Sequence, residues 1–119
     1  MSADETNFLT GDDANFQLGV ITRVAGSSII PHVHFPVNRN VQGTSEALLV
    51  VSGKLTVDLY SSDKQYLESF SAIAGDVIVF VRGGHGFRFD QDTRLIEIKQ
   101  GPFVEGADKE KFHRGVEQP

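Results

Sequence analysis

Short stretches of alternating apolar and polar residues run along much of this chain. Leu55, Val57 and Leu59 alternate with polar residues. Successive side chains of a strand point to opposite faces, so this spacing predicts a strand with one buried face. Residues 16–20 repeat the pattern, with apolar residues at the first, third and fifth positions, and predict a second half-buried strand.

Turn-forming residues separate these patterns from further apolar segments. Residues 61–64 predict a hairpin loop that returns through a strand over residues 66–70. The apolar run 77–81 and the stretch 94–99 predict two more strands, because each is followed by a turn that contains glycine. Strands at this spacing, without helical intervals, predict an all-β fold, either a sandwich or a closed barrel.

The same patterns predict how the domain is laid out. We expect an N-terminal segment over residues 1–15, a β-barrel domain over residues 16–104 and a polar tail over residues 105–119. Within the tail, Asp108 to His113 is expected to form one or two short helical turns packed by Phe112, with a frayed end beyond.

Composition and charge exclude several classes of function. The chain has 119 residues, enough for one domain, and no cysteine, which excludes disulfides and thiolate metal sites. Its net charge of −5 argues against nucleic acid as the main partner. The N-terminus is acidic and no apolar run is long enough to span a membrane, so we expect a cytoplasmic protein.

Three of the four histidines lie in two segments that each begin with a glycine. His32 and His34 lie on sequence expected to form a strand, which would put both imidazoles on one face, about 6–7 Å apart. Glu46 and His85 are the candidates for a third and a fourth ligand. Three histidines and one glutamate suit one divalent transition metal, Fe(II), Mn(II), Ni(II), Co(II) or Zn(II), and disfavour Ca(II). The alternatives are structural or solvated histidines and a Glu46 that points away from the site.

The first histidine segment resembles the first motif of the cupin family. Gly26, five residues and His32-Val33-His34 fit that motif, as do Glu46, six residues and Gly53. The chain departs from the family between these two parts, because eleven residues separate His34 from Glu46 where the family has only a few.

The second histidine segment resembles the second cupin motif more loosely. It runs from Gly75 to His85, with Val81 where the family has proline and Phe89 where it has asparagine. The resemblance covers roughly residues 16–102 and implies a cupin fold, the double-stranded β-helix or jelly-roll barrel. It also implies that His32, His34, Glu46 and His85 are the metal ligands.

The long spacer over residues 35–45 is expected to lie at the rim of the metal site. Arg39 offers a planar, permanently charged fork that suits a carboxylate or phosphate. Asn38 and Gln42 add hydrogen-bonding groups beside it, so all three are candidate substrate-binding residues. An ordinary polar surface loop is the alternative.

A second polar set lies on the predicted strand 94–99. If its polar face lines the barrel, Lys99 would bind substrate and Glu97, with Glu46, would move protons. If that face points to solvent, Glu97 and Lys99 form an ordinary surface pair. Arg82 and Arg88 flank His85 and are expected to add positive potential to the same mouth.

Function is implied by resemblance to small single-domain cupins associated with sugar and cell-surface polysaccharide metabolism. That resemblance implies a metal-dependent isomerase or epimerase acting on a small anionic, carbohydrate-derived substrate. The alternatives are an iron-dependent dioxygenase of a small carboxylate, a metal-free ketoisomerase or epimerase of sugar nucleotides, and a non-catalytic module that binds a sugar or metabolite. A homodimer with twofold symmetry is also expected, because Ala47, Leu49 and Val51 leave apolar side chains on an outer face.

Overall fold

The computed structural model describes residues 5–102, 104–106 and 109–113, and the described chain is all-β with no helix. It divides into two compact units, residues 1–42 and 43–119. The strands are β1 Glu5–Phe8, β2 Gly19–Thr22, β3 Glu46–Ser52, β4 Lys54–Tyr60, β5 Tyr66–Ile73, β6 Val77–Phe80, β7 Gly84–Phe89 and β8 Arg94–Lys99. In the described residues no helix is long and apolar enough to cross a membrane.

The first unit contains one antiparallel hairpin, β1 with β2, followed by residues 23–42 without a strand. The strand predicted over residues 16–20 is wrong in its start, because β2 begins only at Gly19. The amide of the Gln17 side chain donates to the carbonyls of Gly11 and Ala14, both at 2.9 Å. These bonds hold residues 11–17 in a compact loop, so the bonding across the hairpin extends only to Leu18, whose carbonyl accepts from the Leu9 amide at 2.8 Å.

The second unit contains two antiparallel sheets of three strands, with orders β6-β3-β8 and β5-β4-β7. Their facing side chains form one core, so the two sheets pack as a sandwich. The fully buried members of this core are Leu48, Val50, Leu55, Val57, Ala72 and Phe80. The predicted strands from residue 55 onward are therefore confirmed, including the hairpin that returns from β4 into β5.

A single residue, Gly53, forms the turn between β3 and β4. It lies between β3 and β4, which are consecutive in the chain but belong to different sheets. Its φ is 94°, and a side chain there would contact the backbone of Asp92 and Thr93. Only glycine fits a turn that is both left-handed and this close to neighbouring backbone.

The outer face of sheet β5-β4-β7 carries a polar network. The Asp58 carboxylate is 5% exposed and accepts two bonds from the Arg88 guanidinium, each 2.9 Å long. The hydrogen bond to Asp58 raises the pKa of Arg88. Arg88 was expected to add positive potential to the mouth at His85, and that expectation is wrong: the two residues are three apart on β7 and point to opposite faces.

The C-terminal segment over residues 109–113 packs on the second unit without forming a helical turn. The Glu110 carboxylate pairs with the Lys64 ammonium at 2.7 Å, and the Phe112 ring lies 5.0 Å from the Tyr60 ring. The helical turns predicted for this segment are wrong for residues 109–113, because these tertiary contacts hold it in an irregular conformation, whereas Asp108 lies outside the described residues. Packing through Phe112 is confirmed.

Candidate metal centre

Glu46 and His85 meet at one end of the sandwich, although they come from different sheets. Glu46 is the first residue of β3, and His85 is the second residue of β7. The Glu46 Oε2 atom lies 3.3 Å from the His85 Nε2 atom, and both side chains are largely buried. Two potential ligands that are far apart in sequence are therefore adjacent.

Aromatic rings fix the His85 imidazole in place. Phe80 lies opposite Glu46 in the register of β3 with β6, and its ring stacks on His85 at 4.1 Å. Phe87 contacts the imidazole as well, at 5.4 Å. No sequence pattern marks Phe80 as part of this site, because it is an ordinary buried residue of an apolar strand.

The remaining ring nitrogen of His85 is buried without a partner. Its Nδ1 atom has no hydrogen-bonding partner among the described residues. A buried polar atom in this state costs roughly 1–3 kcal/mol. Unpaired buried polar atoms are rare in folded proteins, so this one marks His85 as a position to test.

The separation of the Glu46 and His85 atoms suits two ligands of one ion. Charge-assisted hydrogen bonds are about 2.7–2.9 Å long, shorter than the 3.3 Å observed. Two atoms each roughly 2.1 Å from an ion, at an angle of about 100–110°, lie about 3.2–3.4 Å apart. An imidazole nitrogen with a carboxylate oxygen is also a donor set that divalent transition metals accept. The pair therefore fits half of a metal site.

His32 and His34 lie in the first unit, in a segment that forms no strand. The prediction of a strand there is wrong, and the flanking prolines explain why. Pro31 and Pro36 cannot donate backbone hydrogen bonds, and each restricts the residue before it. The two imidazoles are nevertheless adjacent, with ring centroids 5.2 Å apart.

One hydrogen bond sets the tautomer of His32. Its Nδ1 atom lies 2.8 Å from the carbonyl oxygen of Ile30. Because a carbonyl only accepts, Nδ1 carries the proton, so in the neutral ring the lone pair is on Nε2. A backbone carbonyl behind one ring nitrogen is the usual support of a metal-bound histidine. His32 is thus prepared to act as a ligand through Nε2.

Glu97 and Lys99 share a face of β8 with core residues. Glu46 is paired in register with Lys99, and Leu48 with Glu97. Cross-strand partners lie on the same side of a sheet, and Leu48 is 2% exposed, so both residues lie on the core-facing side of β8. Lys99 is half-buried and Glu97 is exposed. Lys99 is therefore the neighbour of Glu46, and Glu97 lies further along the edge strand.

The three candidates from the spacer all lie in the first unit and are exposed: Asn38, Arg39 and Gln42. Gln42 has local contacts, since its side-chain amide donates to Asn40 Oδ1 and its backbone carbonyl accepts from Asn15 Nδ2, both at 3.2 Å. Gln42 therefore helps to order its own loop.

The four predicted ligands thus form two pairs, one in each unit. Within the part of the chain that the structure describes, no group of three or more His, Cys, Asp or Glu side chains is placed to hold a metal. Each pair by itself provides two potential donors.

Comparison with known proteins finds no match among protein-family models, curated proteins or solved structures. The resemblance to cupins rests on the two sequence motifs alone.

Proposed function

We propose that this chain is a metal-binding cupin that acts on a small anionic, carbohydrate-derived molecule. Glu46 and His85 of the second unit would hold one divalent transition metal, and the cupin motifs imply His32 and His34 as its further ligands. The observation that carries the proposal is the 3.3 Å separation of Glu46 Oε2 and His85 Nε2. Two further features support it, namely the tautomer of His32 and the order of the two cupin motifs along the chain.

The residues around Glu46 suit isomerisation or epimerisation beside a carbonyl. When bound, the metal would polarise that carbonyl and so acidify the neighbouring C–H bond. Lys99, the cross-strand neighbour of Glu46, would attract the anionic group of the substrate. Glu97 shares the face of Lys99 and would remove the proton of that C–H bond, since a Glu46 carboxylate engaged as a ligand is a poor base. Phe80 and Phe87 would exclude water from one side of His85.

A second candidate function, metal-free acid–base catalysis, is favoured by the same pair. A carboxylate beside an imidazole can orient the ring and stabilise its protonated form, as in other His–carboxylate pairs. Because the Nε2 atom faces Glu46 and the Nδ1 atom is buried, Glu46 would then exchange the proton with the substrate, with His85 as its partner. Removal of metal separates the two functions, because a metal-free enzyme keeps its affinity for ligand and its activity in the presence of a chelator.

Titration of the metal-stripped, untagged protein with Zn(II), Mn(II), Co(II) and Ni(II) tests the proposal. We expect about one equivalent to bind to the wild type, measured by calorimetry and by elemental analysis after dialysis. Glu46→Gln and His32→Ala should each weaken binding at least tenfold, because loss of one ligand from a small set removes a large share of the affinity.

The matched control is His113→Ala, which removes the remaining histidine from an exposed position. It should bind metal as the wild type does. If Glu46→Gln loses metal and His32→Ala keeps it, the second unit alone holds the ion. If the wild type binds none of the four metals, the proposed metal site is wrong.

Arg39 is predicted to bind the anionic group of the substrate. A charge-assisted contact of its guanidinium is worth roughly 1.5–3 kcal/mol. Arg39→Ala should therefore weaken binding of sugar phosphates about ten- to a hundredfold, with metal content unchanged. Arg39→Lys should recover only part of the affinity, because an ammonium lacks the planar fork.

Arg94→Ala provides the control for Arg39, since it removes an exposed arginine from the side of β8 opposite the Glu46 face. Calorimetry with a panel of sugar phosphates compares the three variants. Equal affinities for the wild type and Arg39→Ala would show that Arg39 is an ordinary solvated residue.

A further inference from the structure

Two consecutive glycines lie directly before His85, at the start of β7. Gly83 has a φ of 80°, and Gly84 is the first residue of the strand. Glycine has more backbone freedom than any other residue, so two in a row fix the following side chain poorly by themselves. In addition, β7 is an edge strand of its sheet, bonded to β4 on one side. The position of His85 therefore depends on what holds the two glycines.

Tyr60 holds the glycines from within the sheet. It is the cross-strand partner of Gly84. A Cβ atom at Gly83 would lie 2.8 Å from the Tyr60 carbonyl oxygen, and one at Gly84 would lie 3.3 Å from the Tyr60 Cβ atom. The Gly83–Gly84 turn is therefore packed directly against the end of β4.

The C-terminal strap, residues 109–113, covers the same place on the outer face of the sheet. Its Phe112 ring packs edge to face on the Tyr60 ring, with centroids 5.0 Å apart. The same ring would lie 3.5 Å from a Cβ atom at Gly84. His85 follows one residue later and points to the opposite face of β7. The strap thus contacts the backbone that carries His85, and it does so from behind.

The contact of Phe112, and not the ion pair of the strap, provides this restraint. The Lys64 and Glu110 side chains are 47% and 73% exposed. An ion pair in contact with water is screened and contributes little to holding a segment in place. A packed aromatic pair gains both from burial and from the geometry of its rings.

We propose that the C-terminal strap positions His85 through the Gly83–Gly84 turn, with Phe112 as the positioning residue. The His85 Nε2 atom lies 3.3 Å from Glu46 Oε2. A displacement of about 1 Å at the start of β7 is enough to spoil that geometry. The consequence for metal binding rests on the proposed function, whereas the placement of the imidazole does not.

NMR spectroscopy of the imidazole nitrogens tests the inference on the full-length, metal-free chain. The His85 resonances are assigned by their absence from His85→Leu. They should shift and broaden in Phe112→Ala, because the start of β7 loses its cover. Phe112→Leu should show a smaller change, since leucine still fills part of the space over Gly84. Glu110→Gln is the matched control in the same strap and should leave the His85 resonances as they are in the wild type.

Unchanged His85 resonances in both Phe112 variants would overturn the inference. A residue that only stabilises the fold lowers the midpoint of urea denaturation without moving an imidazole in the folded state. A change in Glu110→Gln as large as that in Phe112→Ala would also contradict the assignment to Phe112. If Phe112→Ala does not fold, Phe112→Leu provides the same comparison.

Titration of these variants with Zn(II) measures the effect on the proposed metal site. Phe112→Ala should weaken binding about ten- to a hundredfold, the usual effect of removing support from behind a metal ligand. Glu110→Gln should bind Zn(II) as the wild type does. Equal affinities for the wild type and Phe112→Ala would contradict a role of the strap in that site. If the wild type binds no Zn(II), the proposed metal site is at fault, and the NMR comparison alone decides whether the strap positions His85.

Discussion

Gly53→Ala is expected to lower the free energy of unfolding by about 2–5 kcal/mol, whereas Gly75→Ala should lower it by about 1–2 kcal/mol. The two glycines have nearly the same backbone, with φ of 94° and 93°. They differ in their surroundings. A Cβ atom at Gly53 would lie 2.5 Å from Thr93 Oγ1 and 2.7 Å from Thr93 Cα, whereas one at Gly75 would have no atom within 4 Å.

The comparison separates two physical costs. The loss of stability in Gly75→Ala measures the strain of a left-handed alanine alone. The additional loss in Gly53→Ala measures the cost of displacing the Asp92–Thr93 backbone. Urea denaturation followed by circular dichroism gives both values. Equal losses at the two positions would mean that the turn between β3 and β4 relaxes freely and that the close approach at Gly53 has no energetic weight.

Hydrophobic alternation predicted the strands of the second unit because their packing follows the simplest rule. Leu55 and Val57 are 0% exposed and alternate with polar or outward residues, so the twofold period of the strand was visible in sequence. The strand 94–99 was predicted with the bounds that β8 has. Where one face of a strand enters a core, its register is strongly specified.

The same rule failed where local chemistry competes with the ladder. His32 and His34 alternate as strand residues should, but Pro31 and Pro36 remove two backbone donors around them. Residues 16–18 alternate too, but the Gln17 side chain bonds the backbone of its own loop. Periodicity indicates which side chains share a face, and it carries no information about whether a partner strand can bond the backbone.

Two features of the second unit differ in how well the sequence alone predicts them. The positions of His85 and Arg88 on opposite faces of β7 follow from their odd separation, so their divergence was predictable. Burial of Asp58 was not, because a polar residue between Val57 and Leu59 reads as solvent-facing. The pairing of β4 with β7 brings Arg88 beside that carboxylate, and the pairing of β4 with β5 brings the Ser69 hydroxyl, which donates to it.

The approach of Glu46 to His85 depends on the way in which the two sheets pack. No pattern within either strand carries that information. The order of the cupin motifs indicated the pair, and the structure provides its distance. For His32 and His34, the sequence predicted neighbouring imidazoles, and the structure has them adjacent through an irregular segment.

His85→Leu is expected to separate stability from metal binding. The buried Nδ1 atom of His85 lacks a partner among the described residues, and leucine removes that cost of roughly 1–3 kcal/mol at similar volume. In the wild type the Phe80 ring stacks on the imidazole at 4.1 Å, and the leucine of the variant keeps an apolar contact with that ring. We therefore expect the metal-free variant to unfold at the same urea concentration as the wild type or at a higher one.

Added metal should reverse that order, because the wild type alone retains the ligand. At a free metal concentration of 100 times Kd, binding to the folded state stabilises the wild type by about 2.7 kcal/mol. His85→Leu should gain far less, while His113→Leu, the control for removal of a histidine, should gain as much as the wild type. Denaturation curves with and without metal give all three gains.

A metal-free His85→Leu that is several kcal/mol less stable than the wild type would identify His85 as a structural residue. Equal gains in all three proteins would exclude His85 as a ligand. The unpartnered Nδ1 atom affects the stability of the fold with or without metal, whereas the Nε2 atom contributes only when metal is bound, so a purely structural histidine cannot produce the expected pattern.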